Sequence, residues 1–304
     1  MDCSRGCAVP EAAGELGARI AAGEHVSTPP LFLVDQLPAG EHAELTGPEG
    51  RHAATVRRIQ VGELLLLGDG RGTRAIGEVV AVRRDALDIR ITKREWTPRS
   101  IPTVTLAQAL VKGERGELAV ELATEAGVDE VLPWRAVRCV VRWDEGARGV
   151  KALARWRATA VAASKQSRRA WLPEIGAPVN TQDLVARCSR LREPTGAALL
   201  LHEAATTPIA QVVAELREVA QLLVVVGPEG GLSDGELAAL TAAGARAVRL
   251  GPEVLRASTA AAVALGALGA LTRRWEAHQG EASSASGRWP GTRDSDQSIS
   301  SSLH

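Results

Sequence analysis

Two glycine-containing segments follow short aliphatic runs and have the composition of a small-molecule site. The first is Gln221–Ser233, QLLVVVGPEGGLS, and the second is Val248–Leu271, VRLGPEVLRASTAAAVALGALGAL. Leu222–Val226 is short and continuously apolar, which predicts a buried parallel strand. Gly230 and Gly231 allow backbone angles that other residues avoid, and they let a ligand approach the main chain. Two such turns at the carboxyl ends of neighbouring parallel strands predict a binding crevice.

Each segment continues into a sequence that favours a helix. Ser233 is a good helix N-cap, and Glu236 three residues later completes a capping box. In the second segment we expect the strand and turn to run over Arg249–Glu253 and an alanine-rich helix to begin near Ser258. A single Gly-Pro turn is more simply explained as a tight turn between two elements. The repetition of the pattern, with Arg256 in the second copy, favours a binding site.

Motifs that are absent narrow the choice of ligand. No GxGxxG follows a predicted strand, which argues against a dinucleotide site, and no GxxxxGK[ST] occurs, which argues against a P-loop. The cysteines Cys3, Cys7, Cys139 and Cys188 lack zinc-site spacing, so we expect reduced thiols and no metal. There is no run of eighteen apolar residues and no signal-like N-terminus, which predicts a soluble cytoplasmic protein with no membrane partner.

The formal charge is balanced overall but unevenly distributed. Arg51–Arg115 has thirteen basic and seven acidic residues, and Trp134–Glu174 has ten basic and three acidic, whereas Met1–Gly50 has two basic and eight acidic. Basic blocks of this kind suit a polyanionic partner, although a solvated charged face is the general alternative. Because the chain has no Tyr and a single Phe, Phe32, any stacking on RNA bases depends on Trp, His or Arg.

The glycine segments also carry a family resemblance. VVGPEGGLS and LGPEVLRASTA resemble the last two motifs of the RsmE-type 16S ribosomal RNA uridine-N3 methyltransferases, members of the SPOUT superfamily. The resemblance implies an α/β parallel sheet whose last segments form a trefoil knot that holds S-adenosylmethionine. The residues that it implies for the cofactor site are Leu201, His202, Glu203, Gly227, Pro228, Glu229, Gly230, Gly231, Leu232, Leu250, Gly251, Val254, Leu255, Ser258 and Thr259.

The reaction that the resemblance implies makes modest demands on the protein. Uridine N3 must lose its proton, lie in line with the methyl group, and have the resulting anion stabilised. Arg256 is the arginine in the motif and is the expected stabiliser, while Glu229 is the nearest motif carboxylate and either accepts the proton or shapes the loop. The sulfonium donor is already activated, so no metal is required. The family often has Thr-Glu-Thr after the arginine, whereas this chain has Ala257-Ser258-Thr259.

The chain before residue 98 has closely spaced short segments with Gly and Asp turns, which predict a small barrel. Within it EGRHAATVRRIQVGELLLLGDGRG resembles the family's PUA-like RNA-binding domain, with one helix over Glu49–Ile59. We therefore expect a disordered extension (1–30), a PUA-like domain (31–97), a linker (98–102), a SPOUT methyltransferase domain (103–276) and a disordered tail (277–304).

Strands and helices alternate along the predicted methyltransferase domain, which favours a parallel sheet covered by helices. The predicted strands are Thr103–Leu110, Val128–Trp134, Ala197–Leu201 and Leu222–Val226, and the predicted helices before the first glycine turn are Glu114–Ala126, Lys151–Ser167 and Ile209–Val219.

Three groups of polar residues resemble RNA-contacting segments of the family. One is a KG-x-R turn, which is also a common helix start, and another ends the long basic helix, where cations suit the helix dipole. The third lies on the N-terminal helix and either contacts RNA or joins that helix to its barrel. At position 165 the family usually has Glu, whereas this chain has Lys165. The predicted RNA-binding residues are His52, Arg57, Arg58, Lys112, Arg115, Gln166, Arg168 and Arg169.

The sequence thus predicts a methyltransferase for uridine N3 of 16S ribosomal RNA, acting on naked RNA or on the small ribosomal subunit. A SPOUT enzyme for another ribosomal or transfer RNA nucleoside and a non-catalytic RNA-binding assembly factor are the alternatives. The resemblance also implies a homodimer. The last helix, Ser258–Leu271, is apolar on all sides, which is typical of burial either at a subunit interface or wholly within its own domain.

Overall fold

The computed structural model describes residues 29–143, 146–191, 195–216 and 219–276. The predicted N-terminal extension lies outside these ranges except for its last two prolines, and the predicted tail lies wholly outside them. Within the described ranges the strands form two sheets, one of five strands and one of seven.

The N-terminal sheet has the strand order β1-β3-β4-β5-β2 and is antiparallel except where β1 pairs with β3. Its core contains Phe32, Leu65 and Ile89, each no more than 1% exposed. The predicted helix over Glu49–Ile59 is an α-helix that continues as one π-helical segment. The bounds are β1 Leu31–Leu33, β2 His42–Leu45, α1 Gly47–Arg51, the π-helix His52–Val56, β3 Leu64–Gly68, β4 Thr73–Val82 and β5 Leu87–Trp96.

The C-terminal sheet is parallel at every pairing and has the order β12-β10-β11-β6-β7-β8, with β9 also paired to β7. Residues Leu222–Val226 of the central β11 are no more than 3% exposed, which confirms the predicted buried strand. Burial on both faces explains why this strand is continuously apolar. The bounds are β6 Thr103–Ala109, β7 Glu130–Arg135, β8 Glu174–Ile175, β9 Val179–Asn180, β10 Gly196–Leu201, β11 Gln221–Val226 and β12 Ala245–Val248.

Helices cover this sheet, and those predicted from the sequence are present with ends shifted by at most four residues. Their bounds are α2 Arg115–Glu125, α3 Ala147–Gln166, α4 Thr181–Arg190, α5 Ile209–Glu215, α6 Asp234–Ala242 and α7 Ala257–Leu271, followed by a 3-10 turn at Arg273–Trp275. We did not predict α4, in which only Leu184 and Cys188 are buried, too few for a clear helical period. Its Asn180–Asp183 capping box was the available signal.

The two glycine turns do not follow neighbouring strands, contrary to our expectation. The strand of the second unit is β12, which ends at Val248, so the segment Arg249–Glu253 is a loop. β10 lies between β11 and β12 and pairs with both. As an edge strand β12 is only half buried, with Arg246 and Ala247 partly exposed, and it therefore lacks the aliphatic run that marks β11.

Backbone hydrogen bonds connect the two sheets at one junction. The amide of Gly72 donates to the carbonyl of Ala170 over 2.9 Å, and the amide of Leu172 donates to the carbonyl of Gly70 over 3.0 Å. Gly70 and Gly72 have φ values of +67° and +103°, and a Cβ at either would lie 2.6 Å from Leu172 or Trp171. Both the backbone conformation and the close approach require glycine at these two positions.

A charged pair crosses the same junction. Lys165 Nζ lies 2.7 Å and 2.8 Å from the two carboxylate oxygens of Glu49, and it also lies 5.7 Å from the ring centroid of Phe32. Both side chains of the ion pair are largely shielded, with 22% and 28% exposure. The lysine that departs from the family pattern at position 165 therefore holds the end of α3 against the N-terminal domain.

Cys139 and Cys188 are free and buried. Burial raises the pKa of both thiols, that of Cys188 to about 11, so both stay protonated at neutral pH. Cys3 and Cys7 lie outside the described residues. In the part of the chain that the structure describes, no helix is long and apolar enough to cross a membrane, and no three His, Cys, Asp or Glu side chains are grouped to hold a metal ion.

Candidate cofactor and RNA-binding site

Three strand ends meet at one edge of the C-terminal sheet. Leu201 of β10 is in register with Val226 of β11 on one side and Val248 of β12 on the other. Because the three strands are parallel, the segments that follow them leave the sheet side by side. These segments enclose a cavity of about 510 Å³, which we call the glycine-turn cavity.

Most of the residues predicted for the cofactor line this cavity, and so does Arg256. Pro228 and Leu232 are buried, whereas Glu203 and Glu229 are exposed, so apolar surface and charged groups are both present. This mixture is typical of small-molecule sites. The predicted residues that line the cavity are Leu201, His202, Glu203, Gly227, Pro228, Glu229, Gly230, Gly231, Leu232, Leu250, Gly251, Val254, Leu255 and Arg256.

Two predicted cofactor residues are placed elsewhere. Ser258 is 3% exposed in the first turn of α7, and neither it nor Thr259 lines the cavity. Ala257 and Ala260 line it instead. Residues three apart lie on the same face of a helix, so the face that carries these alanines turns Ser258 inward. The two alanines, and not Ser258 and Thr259, therefore form this wall of the cavity.

The two glycines that end the first turn differ in what the fold requires of them. Gly231 has a φ of +69°, which favours glycine, and its amide donates to the carbonyl of Pro228 over 2.9 Å. At Gly230 the fold itself does not require glycine, because a Cβ there would make an ordinary van der Waals contact, 3.4 Å from Cβ of Arg138. Arg138 Nη1 donates to the Gly230 carbonyl over 3.3 Å. The sequence suggested that both glycines adopt backbone angles that other residues avoid, and in the structure Gly231 is the one that does so.

A buried carboxylate holds the segment that carries Arg138. Glu236 is 3% exposed and accepts hydrogen bonds from the Val137 amide at 2.8 Å and from Thr181 Oγ1 at 2.9 Å. It also accepts from the amide and Oγ of Ser233, completing the predicted capping box. Burial alone raises the pKa of this carboxyl group, but the four hydrogen bonds outweigh burial and lower the pKa below its ordinary value. Glu236 thus links α6, α4 and the segment after β7.

Opposite charges meet at the rim of the glycine-turn cavity. Arg115 Nη1 lies 3.4 Å from Glu229 Oε1, and the two side chains are 50% and 40% exposed. Arg256 is exposed at the N-cap position of α7, where its backbone is extended. The fold therefore brings Arg115, which we predicted for RNA, to the same rim as the two residues predicted to be catalytic.

The other residues predicted to bind RNA fall into two groups. Arg57, Arg58, Lys112 and Gln166 are exposed, as an RNA contact requires. His52 is half-buried, and its ring centroid lies 6.3 Å from that of Phe32, which favours the alternative that it joins the helix to the N-terminal sheet.

Arg168 and Arg169 form intramolecular contacts. Arg169 donates to the carbonyl of Trp171 over 3.0 Å and to the carbonyl of Thr124 over 2.7 Å. Burial is the main cause that lowers its pKa to about 10, so the guanidinium stays charged at neutral pH. Arg168 Nε donates to the carbonyl of Pro29 over 3.1 Å. These bonds connect chain segments, so the structure gives Arg169 in particular a packing role in place of the predicted RNA contact.

Comparison with known proteins identifies the family. Residues 98–269 match the family model described as an RNA methyltransferase domain, and residues 45–92 match the model described as an RNA methyltransferase PUA domain. The chain is 54% identical over 248 residues to ribosomal RNA small subunit methyltransferase E of Mycobacterium bovis, covering 81% of this chain and 94% of that protein. The chain belongs to the ribosomal RNA small subunit methyltransferase E family.

Other similar proteins agree with this assignment. The Bacillus subtilis enzyme of the same name is 30% identical over 231 residues, covering 74% of this chain and 88% of that protein. A methyltransferase from Legionella pneumophila with bound SAM superimposes with a TM-score of 0.70 at 29% identity, covering 81% of this chain and 99% of that one. The Neisseria gonorrhoeae family member, bound to S-adenosyl methionine, has the same TM-score at 25% identity, with 80% and 98% covered. The α/β parallel sheet and the N-terminal PUA-like domain are thus those of the family.

Some residues of the glycine-turn cavity were not predicted. Glu253 lines it from within the LGPEVLR motif, and Arg249 lines it from the position immediately before that motif. Arg138 lines it from the loop after β7, more than eighty residues before the first glycine segment. Only the order of strands in the sheet brings that loop close, since β7 is next to β6, which is next to β11.

Proposed function

We propose that this protein transfers the methyl group of S-adenosylmethionine to N3 of a uridine in 16S ribosomal RNA. The observation that carries the proposal is the glycine-turn cavity, in which both family motifs and Leu201-His202-Glu203 meet, with Arg256 in its lining. The family name of the relatives specifies the small-subunit ribosomal RNA, and two related structures contain the same cofactor.

The lining of the glycine-turn cavity fits this cofactor. Leu232, Leu250 and Leu255 offer apolar surface to the adenine ring, and the unsubstituted Gly227 and Gly230 leave the main chain accessible. Cationic side chains suit the carboxylate of the amino acid part, and Arg138 is our candidate among them. When bound, the cofactor supplies a methyl group that its positively charged sulfur has already activated.

The residues at the rim have roles that follow from the charges in the reaction. The proton on N3 must leave to an acceptor, for which we propose Glu229, an exposed carboxylate held 3.4 Å from Arg115. The negative charge then spreads over the uracil ring and its carbonyl oxygens, and we propose that Arg256 stabilises it. The N3–CH₃ bond forms as the S–CH₃ bond breaks, leaving a neutral thioether, so no metal ion is needed.

We propose that the RNA lies across both domains of a homodimer in the cytoplasm, where ribosomal RNA is modified. Exposed Arg57, Arg58 and Lys112 provide positive charge for phosphates. The homodimer follows from the family resemblance, and exposed apolar side chains support it, since Val263 and Leu271 of α7 are 42% and 39% exposed. The trefoil knot of the last segments likewise follows from the resemblance.

The test is methyl transfer to defined substrates. Purified protein is incubated with the cofactor labelled in its methyl group and with either naked 16S ribosomal RNA or small subunits from a strain that lacks the gene. Mass spectrometry of the nucleosides is expected to detect labelled N3-methyluridine at one position. Label in a different nucleoside would indicate another RNA methyltransferase, and no label in either substrate would contradict the proposal.

Calorimetry with the cofactor and its demethylated product separates an enzyme from an RNA-binding assembly factor. An enzyme is expected to bind both ligands in the glycine-turn cavity, whereas an assembly factor has no need of either. RNA binding without cofactor binding would favour the assembly factor.

A further inference from the structure

A second and larger cavity, of about 1180 Å³, lies at the same edge of the sheet. β6 and β11 are neighbours and are in register as far as Gln108 and Val226, so the segments that follow them leave the sheet side by side. Arg115 lines the second cavity, Glu229 lines the glycine-turn cavity, and their charged groups are 3.4 Å apart. This ion pair therefore lies where the two cavities adjoin. We call the second one the Trp143 cavity.

Two tryptophans line the Trp143 cavity. Trp156 is 1% exposed, and its ring packs so closely on α2 that a Cβ at Gly116 would lie 3.0 Å from its Nε1. Trp143 is partly exposed and meets Trp156 edge to face, with ring centroids 4.9 Å apart and an interplanar angle of 75°. The contact with the buried Trp156 restrains the Trp143 ring, and the partly exposed Trp143 lines the cavity, so part of the indole is accessible from it. An oriented, partly exposed indole is a good stacking platform for a nucleobase.

The charged groups of this cavity suit a single nucleotide rather than a long run of phosphates. Arg155 is paired with Glu117 at 3.0 Å, and Arg115 is paired with Glu229, so two of the cations are already partly neutralised. Lys112 is exposed on the same lining and is placed to meet one phosphate. Acidic side chains also line the cavity, and such groups accept hydrogen bonds from the N–H of a base.

We propose that the Trp143 cavity receives the target uridine after it leaves the RNA stack, with its base against the face of Trp143. This inference rests on the proposed function, because the Trp143 cavity would bind the substrate base next to the proposed cofactor site. A base seated there lies beside the Arg115–Glu229 pair and faces the glycine-turn cavity. The energy lost when the base unstacks from the RNA is offset by stacking on the indole.

The first test compares three substitutions at Trp143. Trp143→Ala removes the stacking face and is expected to weaken binding of substrate RNA by about tenfold to a hundredfold, as substitution of base-stacking aromatics generally does. Trp143→Phe keeps an aromatic face and is expected to restore most of that affinity. Trp143→Leu keeps apolar contact with Trp156 but has no ring, so it is expected to behave like Trp143→Ala. Cofactor affinity is measured for all three and is expected to stay near the parent value, whereas the melting temperature is expected to fall most for Trp143→Ala, which loses the packing on Trp156 that Trp143→Leu partly keeps.

The second test asks which base Trp143 contacts. RNA affinity is measured in the presence of the demethylated cofactor, for parent and Trp143→Ala, with a normal substrate and with substrates that carry an abasic site at the target or at either neighbour. If Trp143 stacks on the target uridine, Trp143→Ala weakens binding of the normal RNA but not of the RNA that is abasic at the target. Loss of the effect only with a neighbouring abasic site would assign the cavity to a flanking base and overturn the proposal.

Failure of this inference is distinguishable from failure of the proposed function. If the parent methylates its RNA and all three variants bind and react as the parent does, the proposal for Trp143 is overturned while the function stands. The same holds if Trp143→Phe loses as much affinity as Trp143→Ala, since the indole then acts only through packing. If the parent transfers no methyl group, the proposed function fails, and the abasic substrates still report whether Trp143 stacks on a base.

Discussion

At the scale of single residues, the chemistry proposed for the rim depends on where charge develops. Arg256 is exposed at the N-cap position of α7 and lines the glycine-turn cavity. Its side chain makes no capping hydrogen bond to the helix, so contact with a substrate does not require such a bond to break. We expect Arg256→Ala to lower kcat by about a hundredfold to a thousandfold, as removal of an oxyanion-stabilising donor generally does, while cofactor affinity changes little. Arg256→Lys, which keeps the charge, is expected to recover part of the rate. A variant with near-parent kcat would show that another group stabilises the anion.

The buried carboxylate of Glu236 holds the segment that carries Arg138, which lines the glycine-turn cavity. Its folded-state pKa is lowered, so its contribution to stability is full above the unfolded pKa, near 4.3 for glutamate, and is lost as the pH falls through the folded-state pKa. We expect Glu236→Gln to destabilise the protein by about 1–3 kcal/mol at neutral pH, because an amide cannot accept all four hydrogen bonds.

Thermal melting from pH 7 to pH 3 tests the role of Glu236. The stability difference between parent and Glu236→Gln is expected to shrink as the pH falls below the ordinary glutamate pKa. A difference that stays constant to pH 3 would contradict a charged Glu236. Glu203→Gln, at an exposed glutamate that lines the same cavity, is the matched control and is expected to melt like the parent.

At the scale of elements, the end of α3 is joined to the N-terminal domain by the Lys165–Glu49 pair. Lys165→Glu restores the residue type usual in the family but places two carboxylates together, and we expect it to destabilise the protein by about 1 kcal/mol. Adding Glu49→Lys reverses the pair and is expected to recover most of that loss. A double variant no more stable than Lys165→Glu would mean that the two side chains are not coupled.

The helical segment of the N-terminal domain is proposed to contact phosphates through Arg57 and Arg58. Each of Arg57→Gln and Arg58→Gln is expected to lower the slope of log affinity against log salt concentration by about one, since one phosphate contact is lost. Arg83→Gln is the matched control, because Arg83 is already paired with Glu44 and Asp88 in the same domain. If the salt slopes equal that of the parent, the two arginines do not contact phosphates and are ordinary solvent-exposed side chains.

At the scale of the whole molecule, the proposed dimer needs an apolar surface that the monomer leaves open. Most of α7 is buried in its own domain, with Val263 and Leu271 still 42% and 39% exposed. We expect light scattering to give the mass of a dimer, and Val263→Glu to shift it toward the monomer. Val56→Glu, at a valine that is 66% exposed in the N-terminal domain, is expected to leave the mass unchanged. A monomeric parent at working concentration would rule out the dimer.

The sequence by itself determined the elements whose residues obey a local pattern. The buried β11, the Ser233–Glu236 capping box and most helices were predictable, because burial on both strand faces and helix capping act over a few neighbouring residues. Both glycine segments and their ligand class came from motifs that are specific in combination. Composition also indicated that α7 is buried, although not by what.

Tertiary structure alone decided which of these elements meet. Strand order placed β10 between the two glycine turns and brought Arg138 against Gly230, a contact between residues 92 positions apart. The tertiary structure also pairs Lys165 with Glu49 at the domain junction and directs Arg169 to backbone carbonyls. In the sequence both residues look like basic side chains that are free to bind RNA. The physical reason is that sheet order and domain packing are set by non-local burial and hydrogen bonding, which leave no periodic signal in the chain.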